Sequence, residues 1–540
     1  MLVDFGKKWY QQDGFQFHGL KSYFMGRNYM KNTKPVMVLG ATGYVGGRLI
    51  PKLLSEGYKV RAVGRSQAKM NCRPWAGNPS VEIVEADVAD LDSMKRASEG
   101  CWSAFYLVHS MNSQKGKFAD ADREGAKNMV IAASEARLKK IIYLGGLGEL
   151  DDPKISHHLK SRHEVAEILQ SGSTPATHLR AAMILGAGSA SFEILRYLVD
   201  RLPVMLTPKW VRTPCQPISI ANVLNYLQGC LEHDETDGGT FDICGPDVLT
   251  YRDLIGMYAK IAGLPKRIII PVPFLSPKLS AKWIHLVTPI PSSIAQPLAE
   301  GLSIPVVCKN NQIRDIVEQK LYSCEESMQI ALKRIEQELV ETCWSDAGAI
   351  IPPEWLYCGD ADYAGGTILE SGFYVRLKGT PEKAWESVVK IGGKTGWYFA
   401  DTLWWIRGAI DRLVGGVGLR RGRRHPREVY VGDALDFFRV LEVEAPRRLV
   451  LLAEMKVPGE AIAQFEITPA GPGVCELTIL SRFLPSGLAG ILYWYVLLPF
   501  HNIIFYHMLK NMAKSTRMPI VRGPKPITPG RKDACVLPLK

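Results

Sequence analysis

The chain has 540 residues, of which 46% are hydrophobic and 22% charged, with a formal net charge of +12; the length exceeds one core, and the composition excludes a disordered or fibrous chain. Its eleven cysteines are scattered without a C-x-x-C pair, which argues against a zinc ribbon, a thioredoxin-like site or a disulfide scaffold and fits a reducing cytoplasm. The positive charge sits in residues 1–34 (+4), 415–427 (+5) and 517–540 (+5), with the remainder near neutral, so two ends and one Gly/Arg loop carry it and nucleic-acid binding is not expected.

Residues 1–33 lack the continuous apolar run of a secretory signal, being interrupted by Lys7, Lys8, Asp13 and Lys21. Met30, just before a Lys/Asn-rich lead, is a candidate translation start, and the segment is read as a basic extension outside the fold. Val36-Met-Val-Leu39 then predicts a strand buried on both faces. It runs into Gly40-Ala-Thr42-Gly43-Tyr44-Val45-Gly46-Gly47 and a helical segment from Arg48 to Leu54. Glycines at 40, 43 and 46 let the backbone turn sharply and approach a pyrophosphate at a helix N-terminus, where N–H groups and the helix dipole favour negative charge. The second strand, Tyr58–Val63, arrives at βαβ distance and completes a dinucleotide-binding pattern. It ends at Gly64-Arg65-Ser66, where an NAD enzyme usually places an acid for the ribose hydroxyls. Arg65 and Ser66, with Arg61 in support, offer donors to a 2′-phosphate, so NADP(H) is expected ahead of NAD(H). Strands at Val81–Glu85, Ala104–Val108 and Lys140–Leu144, with helices near Asp92–Glu99 and Asp120–Ala136 between them, predict a parallel doubly wound sheet.

This ordered set resembles the short-chain dehydrogenase/reductase superfamily, in its extended or atypical NmrA-like branch, over residues 34–355. The resemblance implies that Gly40–Gly46 binds pyrophosphate, that Asp87, with Val88 beside it, contacts adenine, and that the loop His109-Ser110-Met111 lies near the nicotinamide. Family members that transfer hydride place a Ser after the fifth strand and a Tyr-x-x-x-Lys on the next helix. Here the strand ends in Gly145-Gly146, and the helix, beginning Ser156-His157-His158-Leu159-Lys160-Ser161-Arg162, has no such pair. The matching spacing is His158-x-x-x-Arg162, one helical turn apart. His158, a group titrating near neutral pH, is the candidate acid/base and Arg162 the candidate holder of ribose or a substrate oxygen, with Lys160 and His109 in reserve. Thr177–Gly186 reads as a sixth strand and loop leading to a substrate lobe, in which Thr213–Ile220 and Phe241–Pro246 match by resemblance. The lobe is rich in apolar residues, which suits a substrate with apolar surface.

A polar helix at Cys324–Glu341 and Pro352-Pro353 suggest a boundary near 345–356. Beyond it, a strand (Gly372–Lys378), a helix start at Thr380-Pro381-Glu382, alternating strands at Ala434–Glu442, Arg448–Glu454, Ala461–Thr468 and Cys475–Phe483, and a terminal apolar helix follow. This order, with Asp433-x-x-Asp436-Phe-Phe-Arg-Val440, resembles the START/polyketide-cyclase (SRPBCC) superfamily and its helix-grip fold over 356–515. That implies an apolar ligand between sheet and last helix. No metal cluster or nucleophile triad is evident there. Phe483–Leu509 carry no Asp, Glu, Lys or Arg and could span a bilayer by length. They are read first as the grip helix, and secondarily as a peripheral membrane contact assisted by the Arg loop at 420–427.

The expected fold is therefore a Rossmann-type α/β doubly wound parallel sheet with a small substrate lobe, followed by an α+β helix-grip domain, with a basic tail at 516–540. The resemblance implies an NADP(H)-dependent cytoplasmic oxidoreductase acting on an apolar carbonyl, enone or quinone-like compound. The missing Ser and Tyr-x-x-x-Lys keep open an NAD(P)(H)-sensing regulator without turnover, and the second module keeps open a lipid-binding, membrane-associated protein.

Overall fold

The computed structural model describes residues 33–527 apart from 72, 109–117, 149–154, 273–278, 281–283, 285–287, 289–291, 302–303, 337–367, 420–424 and 426–427. The N-terminal extension, His109-Ser110-Met111, the expected boundary at 345–356 and most of the Arg loop thus lie outside the described residues.

Strands β1 (Val36–Leu39), β2 (Val60–Gly64), β3 (Val81–Glu85), β4 (Ser103–Tyr106), β5 (Ile141–Gly146), β6 (Ala176–Ala181) and β7 (Thr240–Ile243) form one parallel sheet in the order β7-β6-β5-β4-β1-β2-β3. Every side chain of β1 and β4 is buried, as expected of strands covered on both faces. The covering helices include α1 (Gly46–Ser55), α2 (Gln67–Asn71), α3 (Leu91–Ser98), α4 (Phe118–Glu135) and α5 (His157–Gln170). Lys140, fully buried just before β5, donates from Nζ to the carbonyls of Cys230 and His233 at 3.2 Å and pairs with Asp234 and Asp237.

Past β6 the chain builds a lobe from α6 (Ala190–Arg201), α7 (Ile220–Glu232), α8 (Tyr251–Ile261) and a parallel pair, Val204–Pro208 with Ile268–Val272. Phe192, Leu195, Val199, Leu254 and Tyr258 are among its core residues. The expectation from the scattered cysteines needs one correction, because Cys244 and Cys308 form a disulfide across 64 residues. The reason is non-local. Buried Asp242 accepts from the backbone N–H groups of Lys309 and Asn310, and Gln216 accepts from that of Cys308, which holds the later loop against the end of β7.

The second sheet is antiparallel. Strands β8 (Leu369–Lys378), β9 (Ala434–Leu435), β10 (Phe438–Glu444), β11 (Arg448–Ala453), β12 (Gly459–Gly471), β13 (Val474–Pro485) and β14 (Ile520–Pro526) lie in the order β9-β10-β11-β12-β13-β8-β14. Helix α9 (Pro381–Val389) starts with Pro in its first turn, as expected; α10 (Asp401–Leu413) was not anticipated. The long helix α11 (Gly487–Ser515) packs against β8 and β13 through residues such as Met508, Leu509 and Met512. The acidic motif is structural, since Asp436 accepts from Trp397 Nε1 at 3.0 Å and Asp433 from Tyr430 N–H at 3.0 Å. The fold also continues past 515. β14 pairs antiparallel with β8, so part of the expected basic tail is an edge strand, where Pro is tolerated because its missing N–H faces away from the ladder.

One buried cluster ties β5, β6 and α5 together. The rings of Tyr143 and His178, register partners on β5 and β6, stack at 5.2 Å, and His163 of α5 meets His178 edge-on at 6.0 Å. Burial, helped by the neighbouring positive groups, lowers the His178 pKa to about 3 from the ordinary 6.5. The unfolded chain therefore takes up the proton first, and stability is whole above about pH 6.5 and falls as pH drops toward 3. A His178→Leu variant is expected to show a shallower loss of melting temperature between about pH 6.5 and 4 by scanning calorimetry; an unchanged slope would refute the assignment.

Candidate functional site

The site begins where β1 ends. Gly40 has φ +83°, and a Cβ there would lie 2.8 Å from the Leu107 carbonyl oxygen, so only glycine fits on both counts. Gly43 N–H closes the turn onto Gly40 O at 2.9 Å. A Cβ on Gly46 would stand 2.3 Å from that same oxygen, so α1 starts in direct contact with the turn. No side chain caps α1; its amino end meets a ligand with backbone alone, as a pyrophosphate requires. The turn lies at the carboxyl edge of the sheet, where strand order reverses between β1 and β4. The residues present therefore fit a dinucleotide.

Two arginines that sequence reasoning passed over brace this turn. Arg48 is buried on α1, stacks over the Tyr44 ring at 4.3 Å and donates to Ala187 O at 2.9 Å. Arg73, also buried, donates to Thr42 O at 3.3 Å. Val45 packs against the core beneath. Neither contact has a local sequence signal, because each is made to a carbonyl far along the chain.

At the next two strand ends, Arg65 is exposed just beyond β2, and Ser66 Oγ accepts from Lys69 N–H at 3.3 Å at the start of α2. Asp87 accepts from Ala89 N–H at 3.0 Å, and Val88 O accepts from Asn128 Nδ2 at 2.9 Å, forming the turn after β3. The parallel pairing of β1, β2 and β3 sets Gly40, Arg65 and Asp87 on one edge. Arg61 is a correction. Near the opposite end of β2, it is held by Glu82 at 2.8 Å and by the carbonyls of Ala97 and Glu99, away from the ribose position.

Beyond β5 the structure explains the missing Ser. A Cβ at Gly145 would lie 2.2 Å from Nε2 of the stacked, buried His178 ring, so packing disfavours a side chain there, and one at Gly146 would lie 2.7 Å from Leu159 Cδ2, which would have to shift. Helix α5 follows, capped by Ser156 Oγ accepting from Leu159 N–H at 3.2 Å. Arg162 donates to Leu144 O at 2.8 Å, and its own carbonyl accepts from Tyr143 Oη at 3.3 Å. It thus stands at the carboxyl end of β5. His158, one turn earlier, is half-buried, and Lys160 is exposed. His109 is outside the described residues.

The segment that Arg48 grips also feeds the lobe. Met183 of that segment lines an apolar cavity of about 120 Å³, together with Leu195, Leu198, Val211 and Leu254. Two buried hydroxyls on its wall, Thr207 Oγ1 and Ser280 Oγ, have no hydrogen-bond partner among the described residues. Neither was singled out from sequence, since an isolated Ser or Thr carries no pattern.

A family model described as NAD(P)H-binding matches residues 40–196, and one described as Protein of unknown function (DUF2867) matches residues 363–508. Among curated proteins, the chain is 28% identical over 119 residues to cinnamoyl-CoA reductase 1 of Arabidopsis thaliana (21% of this chain, 35% of that protein). It is 30% identical over 130 residues to dihydroflavonol 4-reductase of Hordeum vulgare (22% and 37%). A longer match joins it to the chloroplastic divinyl chlorophyllide a 8-vinyl-reductase of Arabidopsis thaliana, 22% identical over 253 residues (44% and 60%). The chain spans about a third of the length of the cinnamoyl-CoA reductases it matches. Among solved structures, triphenylmethane reductase of Citrobacter sp. is 18% identical with a TM-score of 0.46, covering 55% of this chain and 99% of that one. The quinone oxidoreductase QOR2 of Escherichia coli, complexed with NADPH, is 19% identical with a TM-score of 0.45, covering 54% and 98%. The N-terminal region of this chain thus carries a parallel Rossmann-like sheet and matches an NAD(P)H-binding family model, and it is followed by an antiparallel-sheet domain matching DUF2867.

Proposed function

We propose that this protein is an NADP(H)-dependent oxidoreductase acting on an apolar carbonyl, enone or quinone-like substrate. The observation that carries this reading is the join between cofactor turn and lobe: Arg48 holds Ala187, and the same connecting segment supplies Met183 to the apolar cavity. NADP(H) supplies or accepts the hydride when bound. Gly40, Gly43 and Gly46 admit its pyrophosphate, with Thr42, Tyr44 and Val45 shaping the turn. Arg65 and Ser66 receive the 2′-phosphate, and Asp87 and Val88 border the adenine. Apolar walls hold the substrate body and exclude water, while Thr207 and Ser280 offer hydroxyls to a polar group on it. His158 moves the proton and Arg162 orients the ribose or the substrate oxygen.

A second reading concerns the C-terminal domain. Its long helix lies across an antiparallel sheet, which supports the START-like, helix-grip interpretation. Helices α10 and α11 leave Trp405, Leu413, Leu492, Val496 and Phe500 more than half exposed, and Ala489–Ser515 is long and apolar enough to cross a membrane. That much exposed apolar surface favours a peripheral membrane contact.

Calorimetric titration is expected to show NADPH binding at least about tenfold tighter than NADH, with the preference lost in Arg65→Ala. Equal affinities in the parent protein would remove the Arg65 assignment. In a screen of carbonyls and quinones, His158→Ala should lower kcat by about a hundredfold or more while NADPH affinity stays within a factor of two or so. NADPH binding without turnover of any such compound would replace the enzyme with a sensor. For the second reading, the protein should float with vesicles containing anionic lipid, and Val496→Glu with Phe500→Glu should abolish this; absence from the lipid fraction would dismiss the contact.

A further inference from the structure

The C-terminal domain encloses a second cavity, of about 240 Å³, between its sheet and helices α10 and α11. Its walls are almost wholly aromatic and aliphatic, among them Trp404, Phe438, Phe465, Phe483 and Trp494. Leu403 and Phe500 also line it, and both are at least half exposed, so the cavity opens between the two helices.

Into this apolar space α10 sends one cation. Arg407 directs Nε and Nη2 at the thioether of Met455, at 3.2 and 2.9 Å, and lies 5.7 Å from the centre of the Tyr493 ring. A thioether is a weak acceptor, and a guanidinium has five donors to place. No carboxylate forms an ion pair with Arg407 among the described residues. The nearest acid along the helix, Asp411, is committed elsewhere, accepting from Gly418 N–H and Lys456 N–H at 2.7 Å each. On the facing helix, His501 presents Nδ1, buried and without a hydrogen-bond partner among the described residues. Its ring is held in place by stacking on Phe505 and an edge contact with Trp494. A half-buried cation whose acceptors are a thioether and the Tyr493 hydroxyl, with an unsatisfied imidazole nitrogen on the facing helix, is an arrangement that a bound anion would complete.

We propose that this cavity binds an apolar organic acid, its carboxylate received by Arg407 and by His501 Nδ1 and its hydrocarbon or aromatic body lying against Trp404, Phe438 and Phe483. The site stands apart from the dinucleotide turn, and the proposal does not rest on the oxidoreductase reading. Burial and the Arg407 charge lower the His501 pKa to about 4, so at neutral pH the imidazole is uncharged and serves as an N–H donor, leaving Arg407 as the counter-ion.

The test is tryptophan-fluorescence and calorimetric titration of the full-length protein with decanoate, 1-decanol and 2-naphthoate. One site is expected, with decanoate or 2-naphthoate binding at least tenfold tighter than 1-decanol. Arg407→Met should remove that margin while leaving 1-decanol and NADPH binding as they were; Arg407→Lys should keep part of it. Should Arg407→Met fail to fold, His501→Phe provides the second variant, expected to weaken decanoate several-fold and not 1-decanol. Equal affinity for acid and alcohol, no binding of either acid, or acid affinity untouched by these substitutions would each overturn the proposal.

Discussion

A side chain at position 46 would put its first carbon 2.3 Å from the Gly40 carbonyl oxygen, and the distance of helix α1 from strand β1 follows from that contact. With the helix this close, the turn is too tight for anything but backbone at its inner surface. Arg48, in the first helical turn, is then brought beneath the Tyr44 ring and within reach of Ala187. A buried charge-assisted hydrogen bond to a carbonyl contributes roughly 1.5–3 kcal/mol, enough to fix the loop that leads into the lobe. The placement of the lobe cavity relative to the dinucleotide turn thus descends from a steric condition on one glycine.

The second constraint sits at the end of β5. The His178 ring fills the space that a side chain at 145 would occupy, and Leu159 reaches over 146, so the Gly-Gly end of β5 is part of the packing of three elements. Arg162 is already anchored to Leu144 O, which fixes its guanidinium at the sheet edge. On the same helix, His158 stands one turn before it, half-buried, while His163 is buried against Gly148 O.

Much of the N-terminal fold was legible because the constraints there are local. Four buried residues followed by a glycine turn permit few alternatives, and parallel strands read as short apolar runs. The same logic placed Gly40, Arg65 and Asp87 on one edge. What escaped were contacts between distant segments. Arg61 looked suited to a phosphate until the register of β2 against β3 set it beside Glu82. Cys244 and Cys308 come together only because Asp242 and Gln216 collect the backbone of a later loop. In the C-terminal domain, Ile520–Pro526 reads as part of a basic tail, yet the free edge of β8 gives it a partner. Helix α10 was missed because its apolar residues, Leu403, Trp404, Trp405, Ile406 and Ile410, do not mark out one buried face. Several of them are exposed.

Helix α11 shows why that last failure is informative. A helix apolar on every side is ordinarily a buried one, and its C-terminal half obeys, with Phe505, Met508, Leu509 and Met512 in the core. Its N-terminal half does not. There Trp494, Leu497 and His501 face the cavity, while Leu492, Tyr495 and Val496 are exposed on the outside. Packing within the domain accounts for the inner face only. The outer face continues past the cavity mouth at Phe500 toward Leu403 on α10, so the entrance is rimmed by apolar side chains. A hydrocarbon ligand approaching it would leave one apolar surface for another without full exposure to water, and its carboxylate would meet Arg407 inside. On the proposed reading, the apolar rim favours entry of the ligand's body by desolvation, and Arg407 discriminates among ligands by their charge.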